Sequence, residues 1–126
     1  MTIQTGLKRL LDETPGVTLV AFGDLSSGLI LDTAAKAACP REVLDLLCEK
    51  AIDCFALLGP DARPVTGDNA IFGKAVIHFD DRGLQVFARQ PENPDDVICA
   101  ITDPGGGLEQ VLQSTLALAR EMAAPP

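Results

Sequence analysis

The chain contains no tryptophan, no tyrosine and a single histidine, His78. With one imidazole, a histidine-based metal centre needs cysteines or carboxylates to complete it, and none stands at a suitable spacing near His78. Basic residues are also scarce, ten Lys and Arg against eighteen Asp and Glu, for a formal net charge of −8. Such a surface repels phosphate backbones and anionic lipid, and no basic cluster offsets it locally, so neither nucleic acid nor a membrane is an expected partner. No apolar run reaches the roughly 18 residues that a bilayer span needs. The N-terminal MTIQTGLKRLLDE lacks the long uncharged core of a signal peptide, and the expected location is the cytoplasm. Cys39, Cys48, Cys54 and Cys99 form no CxxC pair and lie among Ala, Leu, Ile and Val, where they act as small buried hydrophobes. There is no internal repeat and no low-complexity segment.

What is present is apolar patterning. At 126 residues, 47% hydrophobic and 22% charged, the chain suits one domain, residues 1–126, with a core that needs no disulfides. Ile3, Leu7, Leu10 and Leu11 share a helical stripe that Pro15-Gly16 ends. Val17 to Phe22 is apolar at nearly every position, as in a strand covered on both faces; Leu29-Ile30-Leu31 follows the polar turn Asp24-Leu25-Ser26-Ser27 as a second covered strand, and Ala34 to Cys39 reads as a small-residue connection. Pro40 opens a second helix, Arg41 to Leu58. Glu42, Asp45, Glu49 and Asp53 make one narrow polar line on it, and Leu46 and Leu57 widen an apolar stripe of Val43, Leu44, Leu47, Cys48, Ala51, Cys54, Phe55 and Leu58. A surface helix covers a sheet with an apolar arc of about 100°. The excess arc implies burial against two things, one of them a second chain.

Residues 59–69 are rich in Gly, Pro and Asp and read as an exposed loop. Ala70 to Phe79 alternates, with Ile71, Gly73, Ala75, Ile77 and Phe79 on one side and Phe72, Lys74, Val76 and His78 on the other. Asp80-Asp81-Arg82-Gly83 turns the chain back into Leu84 to Arg89. The wholly apolar Val97 to Ile101 belongs beside residues 17–22 at the centre of the sheet, and Leu108 to Met122 carries a third helical face.

Chemistry-bearing groups do not converge. Cys99 with His78 is the one nucleophile and base pair on offer, but a thiolate in an apolar strand is costly. Gly105-Gly106-Gly107 precedes a helix without a GxxxxGK[ST] or GxGxxG pattern, and Asp103 beside it repels phosphate. Asp80-Asp81 and Asp95-Asp96 are adjacent turn residues that face different ways. No catalytic residue, metal site or cofactor is expected.

Leu7, Leu10 and Leu11 before Pro15-Gly16-Val17, then Gly28-Leu29-Ile30, then Leu84-Gln85-Val86, and the strand 97–101 leading through glycines into Leu108 form a series over nearly the whole chain. In this the sequence resembles the roadblock superfamily of dynein light chains and bacterial GTPase regulators. The resemblance implies an α+β, profilin-like fold in the order α-β-β-α-β-β-β-α, with a five-stranded antiparallel sheet and helices on both faces. It also implies a homodimer joined through the third strand and the middle helix, here by Leu46, Lys50, Leu57, Phe72, Lys74, Val76 and His78. A non-enzymatic adaptor or regulator of a small GTPase or signalling complex is the implied role; a small-molecule sensor and a structural subunit of a larger assembly are the alternatives. The corner at Asp103 to Leu108 departs from the small residue, Asn, Leu and Gly of many relatives, so no partner contact carries over there.

Overall fold

The computed structural model describes residues 2–58, 75–80, 83–90, 93, 95–103 and 107–123. Helix α1, Ile3–Glu13, starts where the Thr5 amide donates to the Thr2 hydroxyl at 3.2 Å, satisfying one of the four amides a helix start leaves open. Leu7, Leu10 and Leu11 are buried as expected, but Ile3 is 36% exposed. A helical side chain leans back over the turn before its own Cα, and before Ile3 there is only the cap. Gly16, at φ 90°, takes a left-handed turn that other residues resist, and feeds the chain into β1.

Strands β1 (Val17–Asp24), β2 (Leu29–Ala35), β3 (Ala75–Asp80), β4 (Gly83–Arg89) and β5 (Asp96–Thr102) form one antiparallel sheet in the order β2-β1-β5-β4-β3. The two most continuously apolar runs, β1 and β5, lie side by side as expected, because inner strands covered on both faces bury nearly every side chain. Two expectations for β2 are corrected. It runs on to Ala35, with Ala34 and Ala35 paired to Val20 and Leu19, so part of the expected connection is strand. It is also an edge strand, which leaves Leu29 and Leu31 46% and 58% exposed; Leu31 falls at a bulge, where β1 offers it no opposite residue.

Helix α2 spans Arg41–Leu58, and the Pro40 carbonyl accepts from the Val43 and Leu44 amides at its start. Helix α3, Leu108–Ala123, buries Val111, Leu112, Thr115, Leu116 and Ala119. The Thr115 hydroxyl donates to the Val111 carbonyl at 2.6 Å, so its polar atom needs no water in the core. α1 and α3 pack on the sheet face that carries Val20, Phe22, Val86 and Ile98; α2 covers the opposite face, with Leu19, Ala21, Phe87 and Cys99. The loop 59–69 and the first residues of the third strand as expected, 70–74, lie outside the described residues, as does the glycine run up to Gly106.

Candidate docking surface

α2 is held from both sides of its sheet face. Near its start the Arg41 guanidinium donates to the Ile30 carbonyl of β2 at 3.0 Å, and in its last turns Phe55 lies under Arg89 of β4, 4.6 Å from guanidinium to ring centroid. Leu44, Leu47, Cys48, Ala51 and Phe55 face the sheet and are buried. One flank, with Ile52, turns toward Gly28 in the β1–β2 hairpin. The helical period places Val43, Leu46 and Lys50 on the opposite flank. There Leu46 is 52% exposed, and Val43 and Lys50 are half-buried.

The edge strand β3 adds to that face. Val76 lies opposite Phe87, which lies opposite Cys99, and all three side chains point to the α2 side. His78, two residues on, shares that side and is half-buried. Of the expected interface residues the structure therefore sets Leu46, Lys50, Val76 and His78 on one side of the sheet. Leu57 is within α2, and Phe72 and Lys74 lie outside the described residues.

The β2 edge of the sheet has side chains set against its outward backbone groups. On β2 the Lys36 amide donates to the Thr18 carbonyl, so by alternation the Thr33 backbone points away from β1. The Thr33 amide is taken up by the Asp32 carboxylate at 3.0 Å, the Ile30 carbonyl by Arg41, and the Gln4 amide of α1 lies against Asp32. Side chains thus occupy polar groups that a further strand would need.

Among the described residues no cluster of His, Cys, Asp and Glu is fit to hold a metal ion. Burial, with a smaller contribution from the neighbouring Cys48, pushes the Cys99 thiol far above its ordinary range, and burial likewise raises Cys48 and Cys54. His78 cannot serve Cys99, because β4 runs between their strands and the separation is about 10 Å or more.

One electrostatic conflict sits at the sheet end by the β1–β2 hairpin, where Asp24 and Asp96 are direct cross-strand partners. Hydrogen bonds from Ser27 and Ser26 hold Asp24 below the usual carboxylate range. Burial first, then the charges of Asp24 and Asp95, raise Asp96 despite the Asn93 amide donating to it at 3.0 Å. A raised acid stabilises the fold below its unfolded-state value and loses that contribution as pH rises through the folded-state value. Asp96→Asn, which keeps the shape and removes the charge, should therefore raise stability at pH 7 by about 0.5 kcal/mol, the scale of like charges directly opposed in a sheet. The gain should vanish near pH 3, where Asp96 is protonated in both states. Urea titrations at the two pH values check this; an equal gain at both would mean that charge is not the cause.

No protein-family model and no curated protein matches the sequence. Solved structures do match. The roadblock/LC7 domain from Streptomyces avermitilis superposes with a TM-score of 0.71 at 12% identity, covering 95% of this chain and 93% of that one. MglB in a tetrameric arrangement gives 0.70 at 20% identity, over 96% of this chain and 85% of that one. A LokiProfilin1 structure in complex with rabbit actin gives 0.60 at 13% identity, over 97% and 96%. Helix order, sheet order and these superpositions agree: the chain has the roadblock/LC7 fold, in its profilin-like α-β-β-α-β-β-β-α order.

Proposed function

We propose that this chain is a non-enzymatic, homodimeric adaptor or regulator that works in the cytoplasm and binds a small GTPase or signalling complex. The observation that carries the reading is the apolar flank of α2, with Leu46 half in water, on the same sheet face as Val76 of the edge strand β3. A two-fold pairing of two such faces covers both copies of Leu46 and extends the sheet across its β3 edge. The occupied polar groups on β2 favour β3 as the pairing edge, and an MglB structure with a tetrameric arrangement among the similar folds supports self-association. The GTPase partner follows from the roadblock resemblance, and regulation of that kind positions groups the GTPase already has, so it asks for no nucleophile here.

The test is hydrolysis of GTP by each small GTPase of the same organism, with and without this protein, alongside capture from native lysate in GTP or GDP. A changed rate, or nucleotide-dependent recovery of one GTPase, is expected. Unchanged rates throughout, together with a retained set that ignores the nucleotide, would overturn the GTPase reading.

A further inference from the structure

The helix layer opposite α2 stops short of the β1–β2 hairpin. α1 begins beside Asp32, against which the Gln4 side chain lies, and α3 packs on β4 and β5. Past Asp32 the register sets Leu29 of β2, Asp24 of β1 and Asp96 of β5 opposite one another in a row across three strands. Phe22 and Ile98, each two residues away along β1 and β5, belong to the layer under α1 and α3, so the row lies on that face. Leu29 is 46% exposed and Leu31, at the bulge, 58%. Two large apolar side chains thus stand in water beside two opposed carboxylates.

Within the fold this arrangement is only a cost. Like charges directly opposite in a sheet destabilise it, and a neutral residue at either place would lift the conflict. Both carboxylates are instead held in place by neutral donors, Asp24 by the Ser26 hydroxyl at 2.9 Å and Asp96 by the Asn93 amide at 3.0 Å. Neither they nor the neighbouring Asp95 and Asp32 have an ion-pair partner among the described residues. A local rule broken without compensation inside the fold marks a functional place. We propose that this row, with Leu31 beside it, docks a segment of a partner protein that carries an Arg or Lys next to a large apolar residue. The cation sits between Asp24 and Asp96, and its carbon stem and apolar neighbour cover Leu29 and Leu31. An acidic segment would add to the conflict, and a purely apolar one would bury the carboxylates with no cation. Because side chains already occupy outward backbone groups of β2, the segment docks on the face and does not add a strand. The row lies away from α2 and from the β3 edge, so it stays open when two copies pair there.

The probe is an acetylated Leu-Arg-Ala-Arg-Leu peptide, with Leu-Glu-Ala-Glu-Leu as its counterpart, titrated into the full chain while backbone amide resonances are followed. Shifts should centre on Asp24, Leu29, Leu31 and Asp96. Asp96→Asn should weaken binding about five-fold, the upper range for one exposed ion pair, while making the fold more stable at neutral pH. A residue present only for the fold would not move the two in opposite directions. Leu29→Ser with Leu31→Ser, both at exposed positions, should weaken binding at least about ten-fold with the spectrum still folded, the apolar cover being lost. No shifts at millimolar peptide, equal shifts with the glutamate peptide, or shifts confined to the acidic line of α2 would each overturn the proposal. So would calcium or spermidine matching the peptide in strength, since a free cation would then suffice. None of these readouts depends on the oligomeric state or on any GTPase.

Discussion

Phe87→Ala should cost about 3–5 kcal/mol of folding free energy, the range for deleting a fully buried aromatic ring. Phe87 is 0% exposed, sits on β4 between Val76 and Cys99, and belongs to the apolar layer beneath α2. Small domains carry roughly 5–15 kcal/mol in total, so this one ring decides whether the variant is mostly folded at 37 °C. Collapse into the cavity is resisted on both sides, since β4 is pinned by backbone pairing to β3 and β5 and α2 is tied down by Arg41 and Arg89. The check is the urea midpoint at unchanged slope, with Leu31→Ala as the comparison. Leu31 is just as apolar but 58% exposed at the β2 bulge, and its loss should shift stability by no more than about 0.5 kcal/mol. Equal losses for the two variants would mean that the layer under α2 is not a packed core.

The contrast between Phe87 and Leu31 also marks how far the sequence could be read. β1 and β5 announce themselves as central strands because a strand covered on both faces needs no polar alternation. α2 was legible for a related reason, since its start at Pro40 and its broad apolar arc are local properties of the chain. β2 departs from its sequence pattern in two ways. Leu29-Ile30-Leu31 has the composition of a covered strand, and nothing within those residues says that only one neighbour will pair with them. Ala34 and Ala35 carry so little strand preference that only the partner positions Val20 and Leu19 make them strand. The exposure of Ile77, 44% on an edge strand that reads as alternating, has the same origin. Edge or centre is decided by the topology of the whole sheet, and the side-chain occupation of β2's outward groups by Asp32 and Arg41 is a tertiary event that spacing does not announce. Of the candidate docking surface, the exposure of Leu46 was legible, since it stands out from the polar line of α2 beside it.

Leu46→Asp should turn a dimer at micromolar concentration into a monomer while leaving the subunit folded. Two features make the outcomes separable. Leu46 is 52% exposed in the single chain, so an aspartate there finds water and should change subunit stability by about 0.5 kcal/mol or less. In a two-fold pairing, however, each substitution occurs twice on one seam, and two carboxylates must lose hydration together beside the acidic line of Glu42, Asp45, Glu49 and Asp53. A cost of at least about 3 kcal/mol per dimer corresponds to more than a hundred-fold in Kd, enough to empty, at micromolar protein, a dimer whose Kd is about 0.1 μM. Ala56→Asp supplies the matching charge at an exposed position on the solvent side of the same helix, away from the Leu46 flank, and should sediment as the unaltered protein does. Loss of the dimer in both variants would assign the effect to net charge and not to the flank. An unaltered protein that is itself monomeric at this concentration would remove the reason to expect Leu46 to be covered by a second copy, and with it the adaptor reading built on that pairing.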